Sequence, residues 1–337
     1  MTLLQTRNLF YLLLPLPVLF LSLFIGPAGS VAPPGVLEWF MAKLGGGIPL
    51  ADAALQMVEE VIVNVRLPRV ILAFLVGGAL TVSGTSLQAL VRNPLVAPEI
   101  LGLSAGAAFG AALALTVSWL PLQPTAFAFG LAAAAFTYFL AVSRRGVSVI
   151  SLVLAGIIVT GLFTALLTIV QIMNDPFKLQ TIVHWTMGNL HNAAWSKVRS
   201  SILPITAGAV ALICMRWRMN VLALGDEETR AVGLNPEREK LLVLVPSVLV
   251  ASAAVAVAGI IGLVGLAVPH MVRMLVGPDN SKTVPASIAF GGVFLVLVDD
   301  LCRAMTSFEI PVGIFTTLIG GPFFIYLLKR AKLGFGE

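Results

Sequence analysis

The chain has few charged residues. Only 11% of its 337 residues are Asp, Glu, Lys or Arg, whereas 58% are hydrophobic, and the mean hydropathy is +0.99. A soluble protein carries about 25% charged residues, because water must solvate its surface. The scarcity of charge excludes a soluble globular protein. It predicts an all-α polytopic membrane protein surrounded by lipid, since a spanning helix satisfies its own backbone hydrogen bonds.

Histidine and cysteine are also scarce, with three and two residues. Cys214 and Cys302 lie within apolar segments and predict neither a disulfide framework nor a metal site. His184 and His191 are seven residues apart in the sequence, which is not the spacing of a local chelating pair. We therefore expect no metal and no cofactor. The alternative is that these histidines and Met187 contact a metal ligand in passage.

Catalytic and coupling motifs are missing from the apolar runs. There is no HExxH and no Walker sequence, so we expect no enzyme activity in this chain and ATP hydrolysis in another. An ion-coupled secondary transporter needs an ionisable residue near the membrane midplane. Glu99, Asp299 and Asp300 all lie near the ends of apolar runs. The net charge of +5 comes from basic residues dispersed in loops, which indicates the positive-inside rule and not a nucleic-acid partner.

Long apolar runs dominate the rest of the sequence. A transmembrane helix needs about 20 such residues. The N-terminal run could be a signal peptide, but only Arg7 precedes it and more spans follow, so we interpret it as a retained first span. Counting a short piece at 266–277 as a crossing gives ten spans. Most basic residues then lie inside if both termini are cytoplasmic. The predicted spans are 9–27, 68–90, 98–118, 122–142, 149–172, 197–215, 241–265, 284–301 and 311–328.

One charged stretch, "VLALGDEETRAVGLNPEREK" at 221–240, lies between two apolar runs. Asp226 suits a helix N-cap, and two glutamates follow it at the positive end of the helix dipole. Gly233 suits a C′ position, and Asn235-Pro236 suits a second helix start. The pattern predicts two short helices joined by a turn. It leaves open whether they form a solvated loop or a docking element for a partner.

Five segments in this order resemble the ten-span FecCD-type permease subunits of bacterial ABC importers for iron-siderophores, haem and cobalamin. The resemblance covers most of the chain, from about Arg66 to Lys329, and implies a single transmembrane permease domain over residues 1–337. The segments are "RLPRVILAFLVGGALTVSG" (66–84), "LVRNPLVAPEILGLSAGAAFG" (90–110), "LALGDEETRAVGL" (222–234), "GLVGLAVPHMVRMLVGPDN" (262–280) and "EIPVGIFTTLIGGPFF" (309–324).

The resemblance implies a role for the charged stretch. In the family, the matching segment forms coupling helices that contact the ATPase subunit, of which each complex has two. Here the coupling loop is expected at about 219–238. The residues expected to contact the ATPase are Leu224, Gly225, Asp226, Glu227, Thr229, Arg230 and Gly233.

The resemblance also implies a docking surface on the outer face. Arg66, Arg69 and Arg303 match arginines that form salt bridges with a substrate-binding protein. Position alone favours ordinary interfacial snorkelling of these side chains. Arg303 could instead pair with Asp299 or Asp300, within one helical turn.

Family permeases work as dimers, so a second permease chain, identical or paralogous, is expected to complete the path. The resemblance places the cytoplasmic gate at Asn93 and Leu95 and at the start of the fifth span, Ser148, Val149 and Ile150. The expected location is the bacterial inner membrane. The expected cargo is an iron chelate, most commonly a ferric siderophore, with haem and cobalamin as alternatives.

Overall fold

The computed structural model describes residues 13–26, 33–44, 53–143, 146–305 and 310–334, and these ranges are almost entirely helical. The only strands in them are β1 (Val142–Ser143) and β2 (Gly146–Val147), a two-residue antiparallel hairpin. The all-α prediction is therefore confirmed. The helices are α1 (Pro15–Ser22), α2 (Pro33–Lys43), α3 (Ala53–Glu60), α4 (Leu67–Val91), α5 (Leu103–Thr116), α6 (Leu122–Ala141), α7 (Val149–Met173), α8 (Pro176–Thr186), α9 (Trp195–Leu224), α10 (Asp226–Ala231), α11 (Pro236–Ala258), α12 (Val264–Val276), α13 (Asn280–Met305) and α14 (Val312–Gly334), with a π-helical turn at Val61–Arg66 and a 3-10 turn at Pro98–Leu101.

Six of the described helices are long and apolar enough to cross a membrane: α4 with the turns before it, α6, α7, α9, α11 and α13. Shorter apolar stretches lie in α5, α12 and α14. Together with α1, these nine helices correspond to the ten predicted spans. The predicted boundaries were least accurate around α9, which continues to Leu224, because the polar residues after 215 extend the helix beyond its apolar part.

Helix α4 lies at the centre of the bundle. It packs against α9, α11, α12 and α13, and nearly all of its residues from Pro68 to Val91 are buried. It approaches α13 closely at Gly77, where an added Cβ would overlap the carbonyl oxygen of Gly291. Small residues at such a crossing allow close backbone packing, which stabilises helix association where no water is present.

A break at Gly259 ends α11 earlier than the predicted span at 241–265. Gly259 has φ +74°, a left-handed conformation that ends the helix. The loop between α8 and α9 packs against this break. The Asn189 N–H donates to the Ala258 carbonyl at 2.8 Å. Gly313 N–H donates in turn to the Gly188 carbonyl at 3.1 Å, so this loop also fixes the start of α14.

The bundle therefore has two distinct ends. The charged end contains α10, the C-termini of α4, α9 and α12, and the N-termini of α11 and α13. The opposite end contains α8, the start of α4 and the C-termini of α1 and α13. The candidate site lies at the charged end, and the three arginines predicted to dock a partner lie at the opposite end.

Candidate functional site at the charged end of the bundle

The charged stretch forms one short helix and the start of a span. Helix α10 begins at Asp226 with Gly225 in the N-cap position, one residue earlier than predicted. The prediction of a second short helix is wrong, because the helix that starts at Pro236 continues to Ala258 as α11. The capping prediction there is confirmed: the Asn235 side chain accepts hydrogen bonds from the Glu237 and Arg238 N–H groups.

Helix α10 is held to the bundle by polar contacts. The Asp226 carboxylate accepts a 2.6 Å hydrogen bond from Lys240 Nζ on α11. Its other oxygen lies 3.7 Å from Arg92 Nη2, in the turn that follows α4. Thr229 is fully buried and its hydroxyl donates to the Gly225 carbonyl at 2.5 Å. The six-residue helix is thus fixed to α11 and to the turn that follows α4.

The sequence patterns did not identify Lys240 and Arg92 as partners of Asp226. Lys240 is 14 residues from Asp226, and Arg92 precedes Asp226 by four spans. Neither separation corresponds to a neighbouring turn of one helix, so only the packing of α4, α10 and α11 brings these charges together.

The free face of this element is partly apolar. Leu224 is 70% exposed and Val232 is 62% exposed, one on each side of α10. Glu227, Arg230 and Gly233 are exposed between or beside them, and Gly233 has the φ of +81° that its predicted C′ position requires. The predicted coupling residues therefore lie together. Gly225 and Thr229 lie beneath, Asp226 binds Lys240, and the other four are exposed. Exposed apolar side chains in an ordered polar setting are typical of a surface that a partner covers.

The two parts of the predicted gate lie on neighbouring elements. The Asn93 side chain accepts a hydrogen bond from Leu95 N–H at 2.9 Å, which orders the turn and leaves the Leu95 side chain exposed. The Ser148 side chain caps α7 by accepting from Ser151 N–H at 3.0 Å. Val149 and Ile150 then occupy the first turn, with Ile150 exposed. The role of these residues as a gate stays a prediction.

Helix α7 contacts the segment that follows Leu95. At Gly156 an added Cβ would overlap the Ile100 carbonyl oxygen of the 3-10 turn. This contact joins α7, which follows Ser148, to the segment that follows Asn93. A movement of α7 must therefore also move the 3-10 turn.

We expect Gly156→Ala to destabilise the protein by about 1–3 kcal/mol, because the new methyl group must push α7 away from Ile100. Gly161→Ala is the matched control, since no atom lies within 4 Å of its added Cβ on the same helix. The apparent unfolding temperature of each variant in detergent measures the difference. Equal unfolding temperatures for the two variants would contradict this contact.

The three predicted docking arginines are buried in this structure. Arg66, Arg69 and Arg303 are only 3%, 4% and 2% exposed. Arg69 donates to both oxygens of Asp299, at 2.9 Å from Nε and 2.8 Å from Nη2. This bidentate ion pair joins α4 to α13 across the core. These side chains do not extend to the membrane interface, so the interpretation as snorkelling arginines is wrong. Their burial gives no support to direct contact with a docked protein.

Arg303 connects the same cluster to α1. Its guanidinium donates to the Ile25 carbonyl at 2.9 Å and to the Ser22 hydroxyl at 3.0 Å. It also pairs with Asp300 and lies 3.2 Å from the Asp299 carboxylate, so the predicted pairing within α13 is confirmed. Ser22 in turn donates to Asp300 at 2.6 Å. We define Arg69, Asp299, Asp300, Arg303 and Ser22 as the buried ion cluster.

The two histidines at the opposite end, His184 and His191, lie closer than their spacing indicates. The rings of His184 and His191 are 5.6 Å apart between centroids and tilted by 33°. The Asn189 amide nitrogen lies 3.1 Å from the His184 carbonyl and 3.2 Å from its Nδ1. Among the described residues, no group of three or more His, Cys, Asp or Glu side chains is placed to hold a metal ion.

Comparison with known proteins agrees with this arrangement. The FecCD transport family matches residues 12–330, which include every helix that forms the charged end. The chain belongs to the FecCD transport family. The resemblance predicted from the sequence is confirmed, and the protein is a multi-pass membrane permease of the ABC importer type.

The names of relatives in the FecCD family refer to different cargoes. The cobalamin import system permease protein BtuC of Halobacterium salinarum is 39% identical over 89% of this chain and 81% of its own length. The molybdate import system permease protein MolB of Haemophilus influenzae is 38% identical over 82% of this chain and 83% of its own length. An iron chelatin transport system permease protein of Helicobacter pylori is 37% identical over 84% of this chain and 86% of its own length.

A solved structure shares the fold along nearly the whole chain. It is an ABC transporter of the metal-chelate type in an inward-facing conformation, with a TM-score of 0.82 and 33% sequence identity. The alignment covers 97% of this chain and 99% of that one. Membership of such a family implies an ATPase and a substrate-binding protein as partners.

Proposed function

We propose that this permease forms the translocation path for a metal chelate, with a ferric siderophore as the first candidate cargo. Two ATPase subunits drive it, and a substrate-binding protein supplies the cargo. The observation that carries the proposal is the anchored element at the charged end, where Leu224 and Val232 are exposed on either side of a helix fixed through Asp226. An ordered apolar surface of this kind is suited to a protein partner.

The proposal sets the orientation of the chain. The ATPase acts in the cytoplasm, so the charged end faces the cytoplasm and the opposite end faces outward. With ten crossings both termini are then cytoplasmic. The basic residues Arg92, Arg216, Arg218, Arg230 and Arg238 all lie at or near the charged end, which agrees with the positive-inside rule.

A second permease chain completes the path in this proposal. Helix α7 supports it, because Ile150, Leu154, Ile157, Ile158 and Leu162 are exposed along one apolar helix. Pairing two copies of α7 would place both exposed starts near each other, beside Asn93 and Leu95. An apolar constriction there would close the path by excluding water.

At the opposite end we propose that the binding protein contacts residues outside the buried ion cluster. The cluster supports the docking surface indirectly, because it fixes the outer ends of α4 and α13 relative to α1. Arg66 contributes in the same way, with its guanidinium donating to the Leu23 carbonyl at 2.8 Å.

The test of the proposal is purification of the tagged permease from its own host in mild detergent, followed by mass spectrometry of the proteins that come with it. We expect an ATPase subunit at about one per permease chain. The complex is then placed in liposomes with the co-encoded binding protein, and ATP-driven uptake of a ferric siderophore, haem, cobalamin and molybdate is compared. Recovery of the permease without an ATPase, combined with proton- or sodium-driven uptake, would overturn the proposal.

A further inference from the structure

A cavity of about 460 Å³ lies at the charged end, between the C-terminus of α4, helix α12 and the turn that begins α13. Its volume falls within the range of about 300–1,000 Å³ that is usual for small-molecule sites. The described residues that line it include three basic side chains and no carboxylate. Its polar lining residues are Gln88, Arg92, Asn93, His270, Arg273 and Asn280.

Arg273 provides the main observation. One nitrogen of its guanidinium, Nη2, donates to the Gln88 side-chain oxygen across the cavity wall. The other, Nη1, is buried and has no acceptor within hydrogen-bonding distance among the described residues. Leaving a buried donor of a charged group unsatisfied costs more than the roughly 1–3 kcal/mol of a neutral group. The guanidinium of this lining residue therefore keeps one donor without an acceptor in its wall.

Arg92 adds a second cation on the facing wall. It ends α4 in the left-handed conformation, with φ +56° and ψ +35°, which is uncommon for a residue with a side chain. Its nearest acidic partner is Asp226 at 3.7 Å, a distance too long for a strong hydrogen bond. Helix α13 also begins beside this cavity with Asn280, and its first N–H groups donate to Asn220 and Asp279.

The acidic side chains near the cavity are bound elsewhere. Asp279 accepts hydrogen bonds from Ser281 and Asn220, and these bonds lower the pKa of its carboxyl below the usual value. Asp226 accepts from Lys240 at 2.6 Å. The lining residues themselves therefore carry two arginine charges and no carboxylate charge.

We propose that this cavity binds a phosphate ester, with Arg273 as the principal ligand and with Arg92 and His270 on the surrounding wall. Guanidinium groups match phosphate oxygens in geometry and charge. The ester could be the headgroup of an anionic phospholipid or a soluble phosphate ester. Met271, Met274 and Leu275 are exposed on α12, and Met274 also lines the cavity, so an acyl chain has apolar surface beside the phosphate.

The experiment uses the purified full-length permease in an uncharged detergent, without its partners, so its result does not depend on the proposed function. Native mass spectrometry measures retention of phosphatidylglycerol against phosphatidylcholine. Calorimetry measures binding of glycerol 3-phosphate and of inorganic phosphate. We expect Arg273→Gln to weaken binding at least tenfold in whichever arm the wild type binds, and Arg273→Lys to weaken it less.

Arg238→Gln is the matched control, because it removes the same charge from an exposed position at the charged end outside the cavity. It should bind like the wild type. Retention of phosphatidylglycerol alone supports the site and identifies a lipid headgroup, and calorimetric binding alone supports it and identifies a soluble ester.

Two outcomes would overturn the site. One is absence of binding in both arms. The other is equal binding by Arg273→Gln and Arg238→Gln. If Arg273→Gln does not fold, Arg273→Lys and His270→Asn carry the same comparison.

Discussion

Replacing Leu224 and Val232 together by aspartate is expected to abolish ATP-driven uptake while leaving the permease folded. Each of these side chains is largely exposed, so the change removes no internal packing. Burying an apolar side chain of this size at an interface contributes about 1.5–3 kcal/mol. Losing both contributions, and burying two new charges, weakens ATPase association by on the order of a hundredfold or more.

Co-purification of the ATPase and uptake in proteoliposomes measure this effect. The matched control is Leu224→Met with Val232→Ile, which keeps both positions apolar and should retain the partner. Membrane insertion and unfolding temperature should be the same in both double variants. Normal uptake by the aspartate variant at normal expression would show that the ATPase does not dock here.

The anchor of α10 can be tested separately from its surface. Asp226→Lys places a third cation between Arg92 and Lys240, so α10 is expected to lose its fixed position while Leu224 and Val232 stay available. We expect the ATPase to bind more weakly and transport to be uncoupled from hydrolysis. ATP hydrolysis and uptake, measured on the same complex, report the two effects. Coupled uptake at the wild-type rate would be inconsistent with a relay through Asp226.

The largest expected loss of stability comes from Asp299→Asn. This carboxylate is 1% exposed and neutralises Arg69 through a bidentate pair, while Arg303 Nε lies 3.2 Å from it. Removing one partner of a buried ion pair leaves an uncompensated charge and costs about 3–5 kcal/mol. We expect a markedly lower unfolding temperature in detergent, together with reduced expression.

Asp175→Asn is the control for this change of side chain. Asp175 caps α8 at an exposed position, and asparagine is an equally good N-cap, so stability should stay near that of the wild type. A double variant, Arg69→Leu with Asp299→Leu, should recover much of the lost stability because apolar residues can replace a buried pair. A stable Asp299→Asn protein would show that the cluster does not hold α4 to α13.

The sequence by itself determined the membrane class, the approximate spans and the presence of an ordered charged element. These properties depend on local composition, since a span is defined by its own apolar length and its own hydrogen bonds. The same holds for the cap at Asn235 and the turn at Gly233, whose partners lie within a few residues. The family could also be recognised, because its motifs are continuous in the chain.

Only the tertiary structure decided how distant charges pair. Asp299 lies 230 residues from Arg69, and Ser22 lies 278 residues from Asp300, so no periodicity links them. Position at the end of a span favoured exposure for the arginines, whereas the packing of α1 against α13 buries them. The same packing between distant helices encloses Arg273 beside Gln88. Local patterns set each helix, but contacts among helices far apart in the chain determine which polar side chains face a partner and which are enclosed.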